Sequence, residues 1–313
     1  MELPKNVWEA AAQVKDIVDS KTQEIDIIAA LHQAMKVPGA KIDREKFLRK
    51  ELKHRYSRIM VEKAVEHNPA YAGIGREEID KLAKHTINYE TSKATALSFT
   101  TGLPGGVVGV AAISVDIVQY FVFVLRIIQE LAYLYGFDDF ELNEDSLENE
   151  ALNEIMLFLG VMLGSESAAV VVKAIAQSSG KAVAKRLARQ ALMKTWYYPV
   201  IKKIAPWLGV QMNKQIFANG VGRAIPVVGG VMAGGLTFAT FKPCAVRLKN
   251  TLREYVSSDP EFYKSGEYLK YQDTIILDAD EIVVEAENAE KETEEVTSDY
   301  PPPAVKMLTK AAA

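Results

Sequence analysis

Residues 102–116 read GLPGGVVGVAAISVD, and the fold turns on how these glycines are used. They lie inside a long apolar stretch, for between Ala94 and Leu125 the single formal charge is Asp116. Its length alone would suit a membrane span. Gly102, Pro104, Gly105 and Gly106 split it, however, which predicts a helix ending near Thr100, a turn at 102–105 and a second helix from about Gly106 to Tyr135. The glycines do not form a phosphate loop. No lysine follows them, no strand pattern precedes them, and the chain has no G-x-x-x-x-G-K-[ST]. Close helix packing is the better use. Gly105 and Gly109 are four residues apart, as are Gly230 and Gly234. Small residues at that spacing share a helix face and let two backbones approach.

Outward from this stretch the pattern stays helical. Apolar residues at 25, 27, 28, 31 and 35 predict a helix that Pro38-Gly39 ends, the second of two short helices expected over residues 5–36 and broken near Asp19-Ser20. Residues 43–67, with eight Lys and Arg, read as one charged helix with Asp43 at its N-cap, stopped by Asn68-Pro69. Another helix is expected from Arg76-Glu77-Glu78. An apolar helical stretch covers 151–176, interrupted at Gly164-Ser165-Glu166, and an amphipathic helix covers 243–256. In DTIILDADEIVVEAE, two β-branched runs flank a turn and predict a short β-hairpin. The acidic, proline-terminated end of the chain has the composition of disorder. The expected organisation is an N-terminal helical region (1–74), an apolar helical domain (75–256), a connecting segment with short strands (257–284) and an acidic tail (285–313). The fold class is all-α, a multi-helix domain around Gly-rich hairpins.

The net charge of −4 hides a segregation. From Ser167 to Arg253 there are 14 Lys and Arg and no Asp or Glu, whereas residues 254–299 hold 15 Asp and Glu against three Lys. A basic, apolar body followed by an acidic tail points to an anionic partner, with the tail as an intramolecular competitor. Within the body, Lys181, Lys185, Arg186, Arg189, Lys194, Lys202 and Lys203 interleave with Trp196 and Trp207. Cationic groups with aromatics at the boundary suit the surface of an anionic bilayer, where each contributes on the order of 1 kcal/mol. The same charge would attract nucleic acid, but the apolar flanks favour lipid.

One helix carries a polar stripe. Asp116, Gln119, Arg126 and Glu130 fall within an arc of about 80° at helical spacing, and Arg126 and Glu130 are an i,i+4 pair. Charges on so apolar a helix need partners. They form either an ion-pair network that fixes helix register or a ligand site. Catalytic signatures are sparse. His32, His54, His67 and His85 lack metal-ligand spacing, no G-x-S-x-G occurs, and Cys244 is the single cysteine, so no intrachain disulfide can form. No metal or cofactor is expected. The N-terminus lacks the basic and apolar regions of a secretory signal, so cytoplasmic exposure is expected.

The order TGLPGGVVG, an apolar helix with Asp116, LRIIQELAYLYGFD with Arg126 and Tyr135-Gly136, LNEIMLFLG and, much later, AIPVVGGVMAGGLTFATF from Ala224 resembles the EcsC family over roughly residues 75–256. The resemblance implies an all-helical domain associated with membranes or with operons encoding ABC-type exporters, and it carries no catalytic residues. Together with the charge pattern it leads to the expectation of a non-enzymatic protein at the cytoplasmic face of the inner membrane, bound to its anionic surface or partly inserted through the Gly-rich hairpins, and in contact with a transporter or other membrane protein. Three alternatives stay open: a soluble helical adaptor, an enzyme acting on a lipid or small ligand through Asp116, Arg126 and Glu130, and a membrane-disrupting factor.

Overall fold

The computed structural model describes residues 27–101, 115–140, 142, 150–177 and 241–265, together with Ile282, Val284, Glu285, Asn288 and Ala289. The described residues are all-α, with no strand among them. Helix α1 (Ile27–Met35) buries Leu31, Ala34 and Met35 and ends in a turn at residues 36–40, as Pro38-Gly39 requires. In α2 (Arg44–Leu52), Asp43 caps the first turn by accepting from the Lys46 amide at 2.9 Å. The charged stretch expected as one helix is two. Ser57 accepts from the Met60 amide and starts α3 (Arg58–Glu66). A side-chain cap offers the backbone an alternative to helix continuation. It lets α3 fold back, so that Arg49 grips Glu62 with both ends of its guanidinium, at 2.6 and 2.7 Å.

Helix α4 (Arg76–Thr101) turns Ile79, Leu82, Ala83, Ile87 and Ala94 inward. Helix α5 (Val115–Leu134) is the hub, packed against by α1, α2, α4 and α6. From Phe121 onward it is almost wholly buried, which explains why it carries so few charges. It ends at Gly136, whose φ of 98° closes the helix by a bond from the Phe137 amide to the Ala132 carbonyl. Helices α6 (Glu150–Leu163) and α7 (Glu166–Gln177) are separated at Gly164, where the sequence placed the break. Arg247 satisfies the carbonyl of Met162 near the end of α6. Residues 241–253 form α8, followed by a 3-10 turn (Val256–Ser258) and α9 (Pro260–Lys264), which Asp259 caps.

Apolar residues from Leu31 to Tyr255, including those on either side of position 75, belong to one core. At its centre, Phe158 of α6 meets Phe137 and Phe140 edge-on, with ring centroids 5.0 and 5.2 Å apart. Cys244 is buried in the same core. The expected β-hairpin is corrected in its second arm. Ile282, Val284 and Glu285 are helical, and so are Asn288 and Ala289 in the acidic tail. The β-branched residues of that arm are interleaved with Glu281, Glu285 and Glu287, and alanines and glutamates follow; those are strong helix formers. The first arm lies outside the described residues. Among the described residues no helix is long and apolar enough to cross a membrane.

Candidate functional site

The polar stripe of α5 meets α4 and the turn after α1. Arg126 reaches across to Glu90 of α4, which is fully buried. Nε donates to Oε2 at 3.0 Å and Nη2 to Oε1 at 2.9 Å. Nη1 donates to the Gly39 carbonyl at 2.6 Å, and Nη2 also touches Oε1 of Glu130 at 3.3 Å. Lys93, one turn along α4, adds a 3.1 Å bond to Glu90 and lies 4.1 Å from the centre of the Tyr89 ring. Three segments distant in sequence are thus pinned through one guanidinium. The fork geometry of arginine is what makes this cross-link feasible.

The two carboxyls fare differently. Burial pushes Glu90 up, but the bonds and charge of Arg126, with Lys93, outweigh it and hold Glu90 below the usual glutamate range. Glu130 is 5% exposed, and its Oε2 is buried with no hydrogen-bond partner. Its one contact is the longer bond to a nitrogen already engaged by Glu90. Burial, reinforced by the charge of Glu90, pushes it up to about 8. Glu130 therefore keeps its proton in the neutral range. Chemically the cluster is one carboxylate held by two cations beside one neutral carboxyl.

Gln129, next on the helix, is fully buried. It accepts from the Ile42 amide at 2.9 Å and donates to the carbonyls of Ala40 and Leu125, each at 2.8 Å. Tyr133 extends the seam by donating to Asp139 at 2.8 Å. The edge of α5 is thereby stitched to residues 39–42 by Arg126 and Gln129 together.

A second buried cluster sits nearer the start of α4. Asp80 accepts from Lys249 of α8 at 2.5 Å and lies 2.7 Å from Lys84 and 3.6 Å from Arg253. Tyr135 donates to it at 3.4 Å. Burial raises Asp80, but the bonds from Lys249 and Lys84 overcome it, so its pKa is lowered. The same acid beside the hydroxyl adds to burial in pushing Tyr135 well above the tyrosine norm.

Of the stripe named from sequence, the structure brings Arg126 and Glu130 together. Gln119 lies half-buried on the same helix, and the backbone of Asp116 is in α5 while its side chain lies outside the described residues. The packing glycines Gly105, Gly109, Gly230 and Gly234 also lie outside them. So does the basic aromatic set Lys181, Lys185, Arg186, Arg189, Lys194, Trp196, Lys202, Lys203 and Trp207. Of the histidines, His54, His67 and His85 are exposed and His32 is half-buried. No group of His, Cys, Asp or Glu among the described residues has the arrangement of a metal site.

Sequence reasoning missed Glu90, the partner of Arg126, and with it Gln129, Asp80 and Lys249. A signal existed for Glu90. It falls in helical register with Ile79, Leu82, Ala83, Ile87 and Ala94, so the apolar face of α4 contains an acid that must be paired. Compared with protein-family models, with curated proteins and with solved structures, the chain matches none of them.

Proposed function

We propose that this is a non-enzymatic helical protein that binds the anionic cytoplasmic face of the inner membrane, in support of a transporter or other membrane protein, the setting that the EcsC resemblance implies. The observation that carries the reading is the run from Ser167 to Arg253, with 14 Lys and Arg and no acid. At about 1 kcal/mol per cationic group near an anionic surface, even half of them would hold the chain on a bilayer. A role for Arg126 and Glu130 in register is supported by their bonds. All three nitrogens of Arg126 bond within the fold, to Glu90, Gly39 and Glu130.

The test is sedimentation of the full chain with vesicles of phosphatidylserine in phosphatidylcholine. Binding is expected at low salt, falling steeply as salt rises, and falling at least tenfold when Lys181, Lys185, Arg186, Arg189, Lys202 and Lys203 are changed to Gln. Equal binding to pure phosphatidylcholine vesicles would contradict the reading. Binding to neither vesicle would favour the soluble adaptor.

A further inference from the structure

The corner between α2 and α3 is basic. Residues 53–59 read Lys-His-Arg-Tyr-Ser-Arg-Ile and contain no acid. Lys53, His54, Arg55 and Arg58 are all exposed, and Ile59 is 71% exposed, the most exposed large apolar side chain of the described residues. The corner is fixed from beneath. Leu52 is buried, Tyr56 and Met60 pack against the core, and Ser57 caps α3. The acids that flank it are already taken. Glu62 is held through both oxygens by Arg49, and Glu51 lies 3.2 Å from Lys50. Lys53, Arg55 and Arg58 form no ion pair among the described residues.

A corner that presents three cations around one apolar tip, with Arg58 alone in the field of an acid, Glu62, is complementary to the boundary of an anionic bilayer. Cations meet headgroup phosphates and carboxylates there while an aliphatic side chain leaves water for the acyl region. Polyanions such as nucleic acid would engage the cations but give Ile59 nowhere apolar to go. We infer that the α2–α3 corner, through Lys53, Arg55, Arg58 and Ile59, is a second contact with anionic phospholipid, separate from the basic stretch at 181–207. The inference rests on the membrane reading above and adds a site from a region to which the EcsC resemblance does not extend. Two basic segments of one chain that both bind lipid would act together, since the second contact forms at the high effective concentration that the first provides.

The experiment uses the full chain, vesicles of phosphatidylserine in phosphatidylcholine, and two variants. Lys53→Ala/Arg55→Ala/Arg58→Ala is expected to weaken vesicle binding on the order of 100-fold at low salt. Ile59→Ser should weaken it roughly fivefold. All four positions are exposed, so unchanged thermal melting is the control for folding. If the triple variant binds vesicles as the unsubstituted chain does, the corner is not a contact and the membrane reading survives without it. If the unsubstituted chain binds no vesicle, both fall. If the triple variant loses binding to a single-stranded oligonucleotide but keeps its vesicle binding, nucleic acid replaces lipid as the partner of the corner.

Discussion

Helix α4 carries two buried acids about 15 Å apart along its axis, and the two clusters around them differ in their balance of charge. At Asp80, one carboxylate is met by Lys249, Lys84 and Arg253, with a tyrosine hydroxyl besides. At Glu90, one guanidinium and one ammonium serve two carboxyls, Glu90 and Glu130. Where cations are in excess, the acid ionises at an ordinary or lower pH. Where both cations bond one acid, the other keeps a proton: Arg126 and Lys93 both serve Glu90, and Glu130 is left with a share of one guanidinium. The identity of a buried acid therefore says less about its charge than the count of donors around it.

The largest effect should come from removing the cation where it is scarce. Arg126→Met leaves Glu90 buried with Lys93 alone and frees the Gly39 carbonyl, and is expected to cost about 3–5 kcal/mol in chemical denaturation. Lys249→Met at the other cluster should cost less, about 1–2 kcal/mol, because Lys84 and Arg253 still face Asp80. Equal losses would show that the number of cations around each acid does not set its stability.

Glu130 sharpens the contrast by titration. An acid whose pKa is raised by folding binds more protons in the native state than in the unfolded chain. Its contribution is therefore most favourable below the ordinary glutamate value and is lost as pH rises from there to about 8. Glu130→Gln mimics the protonated form and removes that loss. The variant should gain about 1–3 kcal/mol on the unsubstituted protein between about pH 5 and about pH 9. Asp80 and Glu90 have the opposite sign, since their pKa values are lowered; what they contribute is present above the ordinary carboxylate value and is lost as pH falls through the folded one. A Glu130→Gln difference that is flat with pH would show that the carboxyl is ionised throughout.

The smallest effect concerns the frame rather than the charges. A Cβ at Gly136 would meet the Ser257 carbonyl oxygen at 3.0 Å, and φ there is 98°. Gly136→Ala should lower stability by about 1 kcal/mol without changing the pH profile.

Legibility followed the range of the interaction. Asp43, Asn68-Pro69, Gly136 and Gly164 act on their own neighbours, and the sequence marked each boundary. The stripe on α5 was visible because its members share one helix, and the pairing of Arg126 with Glu130 is an i,i+4 contact. Glu90 is 36 residues from Arg126 and Lys249 is 169 from Asp80, so those pairs depend on how helices are laid together, which periodicity does not encode. The break at Ser57 was hidden for another reason. Charged residues with high helix propensity surround it, and a single capping serine overrode them. The second arm of the expected hairpin was read as strand from its β-branched residues, yet it is helical where described; a few such residues do not outweigh helix-forming neighbours.

Attachment of this chain to an anionic membrane surface is what the basic residues are proposed to provide. It is tested most directly by expressing the full chain, isolating membranes and washing them first with high salt and then with alkaline carbonate. Release by the salt wash is the expected result, since attachment through Lys and Arg is screened by ions. Retention through both washes would contradict it in favour of insertion, and recovery of all the protein in the soluble fraction would contradict it in favour of an adaptor with no membrane contact.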